Sequence, residues 1–120
     1  GHTFGHAFEA TLNYSKKLNH GEAVLYGILS AAKLSKKLGM LNNNEYELIL
    51  SHLKKLKFDN LSKLFNKDQS EKIANFMTTD KKNISKKINF ITIKRIGLVN
   101  INKQMNLLNA KKFISSELLK

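Results

Sequence analysis

Cysteine is absent from the 120-residue chain, which excludes disulfides and thiolate metal sites and is compatible with a cytoplasmic protein. No charged leader precedes an apolar core, and no uninterrupted apolar stretch approaches the length of a bilayer span. Neither a signal peptide nor a membrane partner is expected. Arginine is nearly missing, with Arg95 the only one among 21 basic residues. The rest of the positive charge is lysine, scattered as pairs such as Lys16-Lys17, Lys36-Lys37, Lys54-Lys55 and Lys111-Lys112. Base and phosphate recognition favours the planar guanidinium, so the formal charge of +12 reads as a solvated lysine surface and no nucleic-acid partner is expected. The charge can still help draw in an anionic substrate. Repeats, low-complexity linkers and internal boundaries are also lacking. At 42% apolar and 25% charged residues, the chain suits one globular domain spanning 1–120. It opens on Gly1 rather than Met, inside a motif, so the expectation is a fragment or a processed piece.

Helical patterns dominate what is present. From His2 to about Asn13, the apolar residues Phe4, Ala7, Phe8 and Leu12 predict a first helix. Asn19-His20-Gly21-Glu22 reads as a helix start, with Asn19 as cap and Glu22 near the positive end of the dipole. Ala23 to Ala32 is apolar almost all round, which predicts a central buried helix ending near Gly39. Asn42-Asn43-Asn44 offers caps for a third helix with Tyr46, Ile49, Leu50, Leu53 and Leu56 on one face, and Glu71 to Met77 predicts a shorter one. Ile88 to Lys94 and Leu98 to Ile101 are rich in strand formers, so a small β-hairpin is expected with Arg95-Ile96-Gly97 between them. Ala110, Phe113, Ile114 and Leu118 return to helical spacing. The expected fold is mainly α with one small β-hairpin.

Three of the four histidines, His2, His6 and His20, fall in the first twenty residues. His2 and His6 are one helical turn apart, so both imidazoles project from one face, which suits a metal or a polar substrate. A tight turn at Leu18-Asn19 would bring His20 back beside His2. Neutral imidazole is a common zinc ligand, yet HTFGH lacks the glutamate of the HExxH motif. On spacing alone, metal ligands and polar surface or core histidines both stand. His52, beside the apolar face of the third helix, reads as a plain surface or boundary residue.

Gly1-His2-Thr3-Phe4-Gly5-His6-Ala7-Phe8-Glu9-Ala10, followed by His20-Gly21-Glu22-Ala23-Val24, closely resembles the signature of the 3-dehydroquinate synthase family. The resemblance continues through Leu34-Ser35 and Gly39 to Asp80-Lys81-Lys82-Asn83 and Ile96-Gly97, so it spans residues 1 to about 101. It implies a helical carboxy-terminal domain of that fold, with the NAD-binding domain outside these residues. It further implies that His2 and His20 ligate a divalent metal, zinc or cobalt, and that His6 contacts substrate and moves a proton. Lys81 or Lys82, with Lys82 favoured, would bind substrate. Glu22 would support the site or start its helix, and Glu9 would be structural.

The implied activity is that of a lyase converting 3-deoxy-D-arabino-heptulosonate 7-phosphate to 3-dehydroquinate and phosphate. It lies on the shikimate route to chorismate and the aromatic amino acids, with NAD reduced and reoxidised in one turnover. A carboxylate ligand and an arginine, asparagine and lysine would come from sequence outside this chain. The 120 residues alone would then be inactive, and the complete enzyme would be a homodimer. Two rivals remain: another sugar-phosphate cyclase, such as a 2-deoxy-scyllo-inosose synthase, and a lysine-rich helical nucleic-acid-binding module.

Overall fold

The computed structural model describes residues 2–55, 60–77, 87–95 and 98–119, with the side chains of residues 2, 3, 54 and 87–104 not among those described. Helix α1 runs over His2–Thr11, α2 over His20–Lys37 and α3 over Asn43–Lys54. A short α4, Leu61–Leu64, and a 3-10 turn, Lys67–Gln69, lead into α5, Ser70–Met77. Strands β1, Lys87–Arg95, and β2, Leu98–Asn106, precede α6, Leu107–Phe113, which passes into a π-helical turn over Ile114–Leu118. The fold is mainly helical. No helix among the described residues is long and apolar enough to cross a membrane.

Each helix boundary has a local cause. Asn19 caps α2 by accepting the Glu22 amide on its side chain, while the Glu22 carboxylate accepts the Asn19 amide at 3.1 Å. That reciprocal pair satisfies two amides that the helix itself cannot. Replacing Asn19 with alanine should cost about 1 kcal/mol, read as a lower urea midpoint at unchanged slope. At its far end α2 stops where Gly39 takes a φ of +77°, letting the Met40 and Gly39 amides reach back to the carbonyls of Ser35 and Lys36. Helix α1 ends in the same way without glycine: Asn13 and Tyr14 stand at φ of 56° and 55°, and the Tyr14 amide donates to the Glu9 carbonyl at 2.8 Å.

The main core gathers Phe4, Ala7 and Phe8 of α1 with Ala23, Tyr26 and Leu34 of α2, Leu61 and Phe65, Ile73 of α5, and Ala110, Phe113 and Ile114 of the last helix. Phe8 is fully buried, with its ring 6.2 Å from Phe4 and 5.6 Å from Phe65, and Phe4 lies 6.2 Å from Phe113. A smaller cluster of Ala32, Leu41 and Tyr46 joins α2 to α3. Burial, then the neighbouring carboxylates of Glu47 and Glu117, hold the Tyr46 hydroxyl above its ordinary pKa.

The apolar run in α2 is not uniformly buried. Ala23, Tyr26, Gly27, Ser30 and Ala31 are covered, whereas Val24, Leu25, Ile28 and Leu29 are only half-covered. Serine fits in the buried stripe because the Ser30 and Ser35 hydroxyls donate to the carbonyls of Tyr26 and Ala31, one turn earlier. Strands β1 and β2 pair antiparallel, from Lys87 opposite Asn106 to Arg95 opposite Leu98, with irregularities after Phe90 and Ile93. The sheet lies against α2 through β1. The closing turn of the expected hairpin, at residues 96 and 97, lies outside the described residues, as does Leu56.

Candidate functional site

The first two helices form a close antiparallel hairpin, and glycine allows it. A Cβ at Gly5 would stand 3.0 Å from the backbone oxygen of Ala23, tight enough that the facing helix would have to give by a few tenths of an ångström. One turn later on α1, Glu9 meets His20, which is one turn earlier on α2. Gly5→Ala should gain up to ~1 kcal/mol in helix propensity but lose more to the forced separation of the helices. The expected net loss is about 1–2 kcal/mol, measured by denaturant unfolding, with a longer Glu9–His20 contact in the variant structure.

Glu9 Oε2 lies 3.3 Å from His20 Nδ1. The carboxylate sits in the helix interface with 14% of its side chain exposed, whereas the His20 ring projects outward at 68%. When Nδ1–H donates to Glu9, the neutral ring turns Nε2, with its lone pair, outward on the opposite edge. That is the donor chemistry a divalent metal takes. His6 is exposed on α1, and His52 is exposed on α3. Residue 2 lies two turns before Glu9 on the same stripe of α1, though the His2 side chain is outside those described. Lys81 and Lys82 are also outside them. Among the described residues, no group of three or more His, Cys, Asp or Glu side chains comes together to hold a metal. Within the described hairpin, the paired side chains are one imidazole and one carboxylate.

These contacts bear on the two glutamates of the motif. Of the two roles open to Glu22, the structure shows the helix start, because its carboxylate closes the α2 cap. Glu9, expected to be structural, is the carboxylate that reaches a candidate ligand. Its spacing from His20 carries no local pattern; only the register of the two helices joins them.

Fold and site together define a helical domain that presents histidines around an interhelical hairpin. The 3-dehydroquinate synthase C-terminal family model matches residues 1–83, and the chain belongs to that family. It is 46% identical over 121 residues to a 3-dehydroquinate synthase of Pelagibacter ubique (strain HTCC1062), covering 100% of this chain and 33% of that protein. A 3-dehydroquinate synthase of Helicobacter pylori (strain HPAG1) is 43% identical over 101 residues, covering 84% of this chain and 28% of the relative. One from Thermodesulfovibrio yellowstonii is 36% identical over 115 residues, covering 96% and 31%. The chain thus spans about a third of the length of these curated relatives.

Proposed function

We propose that these residues form the metal- and substrate-binding part of a cytoplasmic 3-dehydroquinate synthase. Its substrate would be 3-deoxy-D-arabino-heptulosonate 7-phosphate and its products 3-dehydroquinate and phosphate. The observation that carries the reading is His20, set at the capped start of α2 with its Nδ1 3.3 Å from the Glu9 carboxylate; donation from Nδ1–H would leave the Nε2 lone pair for a ligand. His20 and His2 would hold the divalent metal, and further ligands would come from sequence outside the chain. When bound, the metal polarises hydroxyl and carbonyl oxygens, and NAD supplies reversible hydride transfer. The chain's own residues then bind, orient and move protons. His6, one turn after His2, exchanges a proton with the substrate in this scheme. Lys82 or Lys81 offsets carboxylate or phosphate charge, and the lysine-rich surface raises the local concentration of the anion. NAD contacts would lie in residues outside this chain, and the complete enzyme would act as a homodimer.

The decisive experiment is phosphate release by a full-length enzyme carrying these residues, assayed with NAD and zinc or cobalt. Turnover of the seven-carbon sugar acid phosphate to 3-dehydroquinate is expected. Turnover of another sugar phosphate instead would assign the sequence to a different cyclase. Salt-dependent DNA binding without metal affinity would overturn the reading altogether.

A further inference from the structure

We propose that Glu9 is a positioning residue for His20, holding the imidazole in the Nδ1–H tautomer so that Nε2 is the metal-binding nitrogen. This inference rests on the reading of His20 as a metal ligand, and it adds a residue and a tautomer to that reading. The 3.3 Å contact joins two different helices, so its geometry is set by the α1–α2 packing rather than by one flexible segment. Glu9 is also anchored through its backbone, since its carbonyl accepts the Tyr14 amide at the turn that ends α1.

A purely structural ion pair is the competing explanation, and magnitudes disfavour it. With the His20 ring 68% exposed, the pair contributes only modestly to stability, because water and salt screen its imidazole half. The same two helices are already joined by Phe4, Ala7, Phe8, Ala23 and Tyr26 in the core. For ligand orientation the contact matters more. The hydrogen bond made by one ring nitrogen decides which nitrogen keeps a lone pair for metal, and the carboxylate raises the basicity of that lone pair. Removing such a partner commonly weakens metal affinity by about 10–100-fold.

The test uses the full-length enzyme and two readouts independent of turnover. Zinc affinity is measured by competition with a chromophoric chelator, and the His20 tautomer by nitrogen–proton correlation NMR of the metal-free protein. Glu9→Ala should weaken zinc binding by about 10–100-fold and lose the Nδ1–H signature, with unfolding temperature and far-UV dichroism near wild type. Glu9→Gln keeps an acceptor oxygen and the side-chain volume, so it should retain the tautomer and lose less affinity. It also carries the measurement if the alanine variant folds poorly. Wild-type zinc affinity and an unchanged tautomer in Glu9→Ala, alongside metal loss in His20→Ala, would overturn the role of Glu9 alone. Retention of zinc by His20→Ala would instead overturn the metal-site reading on which it rests.

Discussion

Replacing His20 with alanine in the full-length enzyme should abolish tight metal binding and, with it, phosphate release. The expectation follows from chemistry: two imidazoles and a carboxylate hold zinc in a formed site, and losing one leaves a weak pair. His2→Ala should do the same. His6→Ala separates binding from catalysis. It should keep its metal while turnover falls by roughly 100-fold or more, the usual scale for losing a general acid or base. His52→Ala, on the exposed side of α3, should change neither property. Metal content by mass spectrometry and phosphate-release rates for the four variants decide the matter. If His6→Ala lost its metal as fully as His2→Ala, the two residues one turn apart would be the chelate, and the proton-transfer role of His6 would be withdrawn.

The largest stability effect is expected at Phe8→Ala. Its ring is fully buried between Phe4 and Phe65, with centroids at 6.2 and 5.6 Å, so truncation removes both apolar burial and two aromatic contacts. A loss of roughly 3–5 kcal/mol is expected, a large share of the ~5–15 kcal/mol that holds a typical domain. Denaturant titration followed by far-UV dichroism would show it as a lower midpoint. Because Phe8 neighbours Glu9 on α1, the variant should also weaken metal binding indirectly. Phe65→Ala provides the control: it opens the same cavity from another segment. A shift of less than ~1 kcal/mol in Phe8→Ala would mean that the site collapses around the missing ring.

Much of the helical framework was legible because its determinants are local. Asn19 and Glu22 mark the start of α2, Gly39 marks its end, and Asn42 opens α3 by accepting the Glu45 amide. Each is a side chain meeting a backbone group within a few residues. The short helix α4 and the turn after it carry no periodic signal, because four and three residues are too few to display a period. What marks them instead is Leu61 and Phe65, one turn apart and both buried, with the Gln69 side chain accepting the Asn66 amide. The half-covered state of Val24, Leu25, Ile28 and Leu29 was also beyond an apolar pattern, which reports affinity for a core and not which faces find one. The histidine motif falls on the α1–α2 hairpin. The contact between Glu9 and His20 was not legible, since it depends on how far one helix slides along another, a distance set by Gly5 against Ala23.

The contact between Phe4 and Phe113 has a consequence in time. The two rings lie 6.2 Å apart across the core, yet about 110 residues separate them along the chain. At the ~5–20 residues per second of protein synthesis, the first helix waits roughly 5–20 s for the partner that completes its packing. During that interval Phe4 has only its earlier neighbours for cover, and its open side is a place for chaperones or for other nascent chains. Lesions near Phe113 should therefore show first as poor yield of soluble protein in cells, before any change in the chemistry of the α1–α2 hairpin.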